Sequence, residues 1–150
     1  MEKSVYIVKP DAWTFRYAIE GMVLDQGLLT LTTLQVTLSE HTLGRLYPDL
    51  FGAQNDLWRE TLRHFAEGSS WIVQVIGEDA INVLRRLCGE DTNPNLCAAS
   101  TIRRLFGESK PTVLADGSSY WRNAVHRPKN KYEAKSDLLL VDRMFGSLLH

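Results

Sequence analysis

Hydrophobic residues follow two different periods along this chain, and the change of period marks the predicted secondary structure. Apolar, β-rich residues fill positions 4–10 and 70–78, and leucine and valine partly alternate with threonine over 28–38. These three segments predict strands. The mixed segment over 120–126 can supply a fourth strand late in the chain.

Between the strands, apolar residues recur at intervals of three and four, which predicts helices. The helical stretches are residues 15–27, 39–51, 54–68, 79–89 and 131–149. Ser39 and Asp79 are candidate N-caps, and Gly27 suits the end of the first helix. The last helix places on one side Ala134, Leu138, Val141, Phe145 and Leu148.

The order of these elements predicts the fold class. Strand, helix, strand, helix pair, strand, helix, loop, strand and helix suit an α/β (α+β) fold of the ferredoxin-like kind, in which helices cover one face of a four-stranded antiparallel sheet. The chain has 150 residues, the size of one domain, and contains no internal repeat or linker. We therefore expect one domain over residues 1–150.

One long stretch without a strong period separates the third and fourth predicted strands. Residues 90–100 and 108–120 are polar and turn-rich, with one short helix predicted over 101–107. Long loops in compact domains are more often functional than decorative. This region is therefore a candidate functional segment.

The charge balance and the cysteines exclude several classes of protein. With 17 basic and 18 acidic residues the net charge is −1, which argues against nucleic-acid binding driven by counterion release. Cys88 and Cys97 form no metal-ligand spacing, and no metal site is predicted. The N-terminus lacks a signal-peptide core, and no apolar run is long enough to span a bilayer. We expect a reduced, cytoplasmic protein.

Basic residues occur at several positions where they can bind an anion. They are Lys9 at a strand end, Arg85 and Arg86 in a helix, Arg103 and Arg104 in the short helix, and Arg122 and Arg127 on either side of His126. Solvated helix faces explain some of them, and one member of each arginine pair is expected to be exposed. The alternative is a phosphate pocket, because guanidinium groups bind phosphate oxygens in a fixed fork and stabilise a transferring phosphoryl group.

Five motifs carry a resemblance to a known family. In chain order they are VYIVKPDA, RLYPDL, RRLCGEDTNP, STIRRLFG and RNAVH. Their order, and the strands and helices between them, are similar to those of the nucleoside diphosphate kinases over nearly the whole chain. The resemblance implies a phosphotransferase that moves the γ-phosphate of a nucleoside triphosphate to a nucleoside diphosphate. It also implies a phosphohistidine intermediate on His126.

The resemblance implies a role for each matching side chain. It makes His126 the nucleophile and Asp137 the carboxylate that orients it, where the family usually has glutamate. Lys9 and Tyr47 are expected beside the transferred phosphate, and Asn123 at the ribose hydroxyl. The remaining expected nucleotide contacts are Leu57 at the base, and Arg85, Thr92 and Arg103 at the phosphates.

The resemblance also implies how the base, the metal and the assembly are arranged. An aromatic residue usually stacks on the base; Leu57 occupies that place here, with Trp58 beside it, and broad base tolerance is expected. Mg²⁺ is expected to bind through the nucleotide phosphates and not in a dedicated protein cage. A homo-oligomer is expected, commonly a hexamer or tetramer built from dimers.

Two departures from the family pattern affect the predicted site. The family usually follows its histidine with glycine, serine and aspartate, whereas this chain has HRPK over residues 126–129. About ten extra residues lie between Arg103 and Asn123, a length that chain entropy tolerates. This insertion can be a lid, an interface element or a tolerated surface loop.

Two further classes of protein compete with an active phosphotransferase. The first is a catalytically impaired relative that binds nucleotide or acts as a scaffold, which the departure after His126 favours. The second is a single-stranded nucleic-acid module on a similar sheet, although the chain lacks the aromatic pattern that such sheets use for base stacking. Phosphohistidine formation separates an active enzyme from an impaired relative.

Overall fold

A computed structural model describes residues 1–148 of the chain. Its strands are β1 (Glu2–Val8), β2 (Leu29–Val36), β3 (Ser70–Gly77), β4 (Thr112–Val113), β5 (Ser119–Tyr120) and β6 (Val125–His126). Four of them form one sheet in the order β2-β3-β1-β6, and neighbouring strands are antiparallel. The predicted α/β fold with a four-stranded antiparallel sheet is confirmed.

Helices connect the strands and end close to the predicted limits. They are α1 (Arg16–Asp25), α2 (Glu40–Leu46), α3 (Pro48–Ala53), α4 (Asp56–Ala66), α5 (Ala80–Cys88), α6 (Ile102–Phe106) and α7 (Lys131–Leu148), with short 3-10 segments at Pro10–Phe15 and Pro94–Leu96. The predicted end of the last helix at Leu149 lies outside the described residues, as does the side chain of Leu148. Over residues 1–148, no helix combines the length and the apolar character needed to cross a membrane.

The predicted helix pair between β2 and β3 is in fact three helices. Pro48 has no backbone N–H with which to continue α2, and it disfavours the helical region for the residue before it. Tyr47 accordingly adopts φ −128° and ψ 65° between α2 and α3. Ser39 caps α2 as predicted, because its side chain accepts a hydrogen bond from Thr42 N at 3.2 Å. Asp79 precedes α5 without a capping hydrogen bond from its side chain.

Helices cover both faces of the sheet, so the expectation of one covered face was wrong. Val5 and Ile7 of β1 pack with side chains from α2, α4 and α7, whereas Tyr6 and Val8 pack with side chains from α1, α5 and α6. All four are buried. A strand that is apolar at successive positions is typically buried on both faces, and the unbroken run VYIV carried that signal.

The edge strand β2 is less regular than its predicted alternation. A bulge between Thr30 and Thr32 shifts its register against β3. Leu29 pairs with Ile76 and Leu34 with Ile72, on the same face of the sheet; Leu34 packs against the core, whereas Leu29 and Leu31 are exposed.

The long segment before β6 has more structure than the predicted loop. β4 and β5 pair as a hairpin, and Gly117 has φ +86° in its turn. The fourth strand of the sheet is then short: Val125 pairs with Val8, and His126 pairs with Ile7. Backbone pairing with β1 therefore fixes the position of His126.

Candidate active site

A cleft of about 620 Å³ lies where β1 and β6 end and is bordered by α2, α4 and α7. It brings together the predicted site residues Lys9, Tyr47, Leu57, Thr92, Arg103, Asn123, His126 and Asp137. Arg85 is the predicted residue that the structure does not bring to the lining of this cleft. Residues from distant parts of the chain thus meet as the motif order predicted, with one exception.

The imidazole of His126 is held by a single carboxylate. Its Nε2 lies 2.9 Å from Asp137 Oδ2, and both side chains are buried. Nδ1 has no hydrogen-bond partner within residues 1–148. A neutral ring that donates its Nε2 proton to Asp137 leaves the lone pair of Nδ1 free as a nucleophile. The shorter side chain at position 137 reaches the ring because α7 passes directly beside it.

A strained turn at Ala124, just before β6, orients His126. Ala124 has φ +72°, a left-handed conformation that costs about 1–2 kcal/mol for a non-glycine residue. Three hydrogen bonds hold it: Val125 N donates to Asn123 O at 2.8 Å, Lys9 N to Ala124 O at 2.8 Å, and Ala124 N to Asp11 Oδ2 at 3.1 Å. The turn therefore directs Asn123 and His126 toward the same cleft.

Lys9 is buried and linked to Asn123. Its Nζ donates to Asn123 Oδ1 at 2.8 Å, and Asn123 Nδ2 donates to Thr92 O at 3.0 Å. Burial, together with the charges of Arg103 and Arg127 and against the opposing effect of Asp11, lowers the pKa of Lys9 from 10.5 to about 7. A bound anion would reverse this destabilisation of the ammonium group.

Arg103 is also buried, and it braces the backbone on two sides of the cleft. Its guanidinium donates to the carbonyls of Gly89 at 3.2 Å, Asp91 at 3.1 Å and Val125 at 3.1 Å. Glycine suits position 89, because its φ is +109° and an added Cβ would lie 2.8 Å from Cys97 Sγ. Arg103 therefore joins the loop after α5 to β6.

Arg85 lies outside the lining of the cleft, whereas Arg127 lies within it. Arg85 Nε lies 3.1 Å from Glu90 Oε1, at an angle unsuited to a hydrogen bond, and its side chain is 34% exposed. Arg127 is only 5% exposed, lines the cleft and donates to Gly89 O at 2.7 Å. Burial, followed by repulsion from Arg103, lowers the pKa of Arg127. The family resemblance assigned no contact to Arg127, because the family usually has glycine at that position.

Aromatic residues form one wall of the cleft. The Tyr47 ring lies edge-on to His126 with centroids 5.0 Å apart, and Lys9 Nζ is 5.8 Å from the Tyr47 centroid. Burial strongly raises the pKa of Tyr47, so its hydroxyl stays protonated. Leu57 lines the cleft, whereas Trp58 is buried against Phe51. Leu57 is therefore an aliphatic side chain of α4 at the cleft wall, and its contact with the base stays a prediction.

A buried polar network lies beneath the strained turn. His64 Nδ1 is 2.6 Å from the Tyr120 hydroxyl, and His64 Nε2 is 2.9 Å from Asp11 Oδ1. Although burial opposes ionisation, His64 and Lys9 together hold the pKa of Asp11 below its usual value. Sequence reasoning missed His64 and Tyr120, because neither lies in a motif and their contact depends on how the hairpin packs on α4.

Comparison with known proteins first defines the class of fold. The chain superposes on the nucleoside diphosphate kinase of Encephalitozoon cuniculi with a TM-score of 0.77 at 23% identity, covering 93% of this chain and 88% of that one. A structure titled as a transition state mimic of the Borrelia burgdorferi nucleoside-diphosphate kinase, with bound vanadate and ADP, matches with a TM-score of 0.72 at 25% identity, covering 93% of this chain and 85% of that one.

Sequence comparison then defines the family. The family model for nucleoside diphosphate kinase matches residues 2–142. The nucleoside diphosphate kinase of Syntrophotalea carbinolica is 30% identical over 129 residues, which cover 84% of this chain and 84% of that protein. That of Campylobacter curvus is 28% identical over 130 residues, covering 84% and 91% respectively. The chain belongs to the nucleoside diphosphate kinase family and is a phosphotransferase of that type.

Proposed function

We propose that His126 carries the phosphoryl group in this chain's nucleoside diphosphate kinase reaction, and that residues 1–150 act as one domain for it. The observation that carries the proposal is the 2.9 Å contact between His126 Nε2 and Asp137, which leaves Nδ1 free within a cleft that also holds Lys9 and Arg103. The donor is a nucleoside triphosphate and the acceptor a nucleoside diphosphate.

Both half-reactions take place at His126 Nδ1, and each forms one bond to phosphorus and breaks another. In the first, the Nδ1 lone pair of His126 forms a bond to the γ-phosphorus while the bond from that phosphorus to the bridging oxygen breaks, and the nucleoside diphosphate leaves. In the second, a terminal oxygen of the acceptor diphosphate attacks the same phosphorus and the N–P bond breaks. The ring keeps its Nε2 proton throughout, and the Asp137 carboxylate stabilises the positive charge that develops on it.

Buried cations are proposed to bind the transferring group. A loose phosphoryl transition state spreads negative charge over its equatorial oxygens, and preorganised donors in a water-poor cleft stabilise that charge strongly. Lys9 and Arg103 are buried beside His126, and Thr92 lies on the adjoining loop. Because Lys9 and Arg103 are already buried and hydrogen-bonded, little reorganisation of them is required during transfer.

The nucleoside is proposed to lie toward Asn123 and Leu57. Asn123 is fixed at both ends of its carboxamide, by Lys9 and by Thr92 O, which suits a residue that binds a ribose hydroxyl. Leu57 offers an apolar surface without groups that distinguish base edges. Broad tolerance of the base follows from that chemistry.

Mg²⁺ is proposed to arrive on the nucleotide phosphates. Across the part of the chain that the structure describes, no three acidic, histidine or cysteine side chains come together as a metal cage. Glu90 and Asp91 line the cleft and supply the oxygen atoms that Mg²⁺ or its bound water prefers. When bound, the ion neutralises phosphate charge, so these carboxylates fit a metal held mainly by the substrate.

The setting of the enzyme is proposed from the family. We infer a cytoplasmic homo-oligomer that uses nucleoside triphosphates and diphosphates and has neither a membrane nor a nucleic acid as its main partner. A net charge of −1 supports the exclusion of nucleic acid.

Labelling with γ-labelled ATP tests the proposal. Wild-type protein with Mg²⁺ is expected to form an acid-labile, base-stable phosphoenzyme that passes its label to GDP when excess GDP is added. His126→Ala is the matched control and is expected to carry no label. Label on the His126→Ala protein would remove His126 as the nucleophile.

A catalytically impaired relative is the second candidate function. The observation that favours it is the group that follows His126, Arg127 to Lys129, together with the outward position of Arg85. Wild-type protein that binds ADP but forms no phosphoenzyme would support this candidate over the first.

A further inference from the structure

Two arginines lie near Gly89, and the family resemblance assigned a phosphate contact only to Arg85. Arg85 lies beside Glu90 and outside the cleft lining, whereas Arg127 is buried within it. We propose that Arg127, and not Arg85, is the third cation that binds the substrate phosphates, together with Lys9 and Arg103. This inference rests on the proposed function of the same site.

The first argument is convergence on one carbonyl. Gly89 O accepts from Arg127 Nη2 at 2.7 Å and from Arg103 Nη1 at 3.2 Å, so the two guanidinium groups lie side by side. The Nε atoms of Arg103 and Arg127 are buried and have no hydrogen-bond partner among residues 1–148. Two adjacent guanidinium groups with unused donors match the geometry of phosphate oxygens.

The second argument is uncompensated charge. Over the described range, Lys9, Arg103 and Arg127 form no salt bridge. The buried carboxylates nearby are already engaged, Asp137 with His126 and Asp11 with His64. Burying cations without partners is costly, and an anion that enters the cleft removes that cost. The three side chains therefore form an anion site that is complete before the ligand arrives.

The third argument is that the segment after His126 is anchored. Lys129 N donates to Glu133 Oε2 at 2.7 Å, and Glu133 N donates to Asn130 Oδ1 at 2.9 Å, which is a reciprocal cap at the start of α7. Pro128 restricts φ between this cap and Arg127. The HRPK sequence thus holds the guanidinium in place, where glycine would supply no charge.

Arg85 shares the buried, unpartnered Nε but lies outside the cleft lining and has a carboxylate beside it. It is partly exposed, and its nearest acidic partner, Glu90, is 66% exposed. An exposed ion pair of this kind contributes little energy and is screened by salt. Arg85 therefore provides a matched control on the same side of the cleft.

Calorimetric titration of ADP in the presence of Mg²⁺ tests the inference with four proteins: wild type, Arg127→Gln, Arg127→Lys and Arg85→Gln. Arg127→Gln removes the charge and the guanidinium group and leaves a shorter polar side chain that still has N–H donors. It is expected to weaken ADP binding by about tenfold or more, with Arg127→Lys between it and wild type, because a hydrogen bond to a charged group has that size. The ADP affinity of Arg85→Gln is expected to stay within about twofold of that of wild type, because exposed charges contribute little.

The opposite results overturn the inference. An ADP affinity of Arg127→Gln within about twofold of wild type would limit Arg127 to bracing Gly89, and an equal loss in Arg85→Gln would restore the motif assignment. Should Arg127→Gln fail to fold, nitrogen-15 spectra of wild-type arginine side chains decide. ADP should shift the Nε–H signal of Arg127 and leave that of Arg85 in place; the reverse pattern would contradict us.

Phosphoenzyme formation keeps the two proposals apart. Failure of the proposed function would leave ADP binding dependent on Arg127, but no label on wild-type protein. Failure of the present inference would leave wild-type protein labelled, and Arg127→Gln would bind ADP as tightly as wild type.

Discussion

The two sides of the cleft are held by different kinds of contact. On the strand-end side, which comprises Lys9, Asn123 and His126, backbone hydrogen bonds between β1 and the segment before β6 fix each residue. On the loop side, which comprises Arg85, Gly89 and Arg127, contacts of side chains with a carbonyl or a carboxylate determine which arginine lines the cleft. Motif positions therefore predict the strand-end side well and the loop side poorly.

Removing the nucleophile should have the largest effect and tests the strand-end side. His126→Ala is expected to lower phosphotransfer by at least about 10³-fold, because it removes the nitrogen atom proposed to carry the phosphoryl group. ADP binding should change by less than about threefold, since the cations are untouched. Coupled-enzyme kinetics and calorimetry measure the two quantities. Transfer close to wild-type level would contradict the strand-end assignment.

Neutralising the orienting carboxylate should have the next largest effect. Asp137→Asn keeps an acceptor for His126 Nε2 but removes the charge that stabilises the phosphorylated ring, and a loss of about 10²-fold in the rate of phosphoenzyme formation is expected. Asp137→Glu, which restores the family's usual residue, is the matched control and should lose less. Rapid-quench kinetics with labelled ATP gives both rates. Equal rates for Asp137→Asn and wild type would show that the contact is only structural.

The pH dependence of ADP binding tests the environment of Lys9. Its folded pKa is about 7 and its unfolded value 10.5, so between these values the unfolded chain holds a proton that the folded one lacks. The contribution of Lys9 to the free energy of unfolding of the ligand-free protein therefore rises with pH across that window. ADP binds the protonated form better, so its affinity should fall above pH 7 by up to about tenfold per pH unit.

Lys9→Arg separates this effect from other titrations. Arginine stays charged over the whole range, so its ADP affinity should vary little between pH 7 and 9. Calorimetry at several pH values measures both proteins. A wild-type profile as flat as that of Lys9→Arg would show that Lys9 remains charged in the free cleft.

The strained turn provides the smallest expected effect. Ala124→Val should lower the free energy of unfolding by about 1–3 kcal/mol, because a β-branched residue is strained at positive φ and the site is fully buried. Ala124→Gly, the matched variant, relieves the strain and should change stability by less than about 1 kcal/mol. Urea unfolding measures both. A larger loss for glycine than for valine would show that the turn is not strained.

Much of the fold and of the site followed from sequence because it depends on local pattern and strand order. The sheet, the Ser39 cap and the meeting of Lys9, Asn123 and His126 were predictable. The predictions about the fold that were wrong concern features that depend on tertiary packing. The run VYIV is buried on both faces, and the helices that pack on the second face cannot be identified from the strand alone. Pro48 divides into two a helix that was predicted as one.

The arrangement of the loop side could not be predicted from the sequence for a related reason. Which arginine enters the cleft depends on side-chain rotamers and on competing partners such as Glu90, and spacing along the chain does not encode these. His64 is fully buried between Asp11 and Tyr120, residues 53 and 56 positions away, so no local pattern identifies it. Resemblance to a family transfers backbone position more reliably than side-chain partnership.

The most direct test of the central claim is to determine which nitrogen of His126 is phosphorylated. The protein would be labelled with nitrogen-15 histidine, phosphorylated with ATP, and studied by long-range proton–nitrogen correlation under mildly basic conditions, where phosphohistidine persists. Because Asp137 holds Nε2, the phosphate is predicted on Nδ1. Phosphate on Nε2, or on a different histidine, would contradict the account.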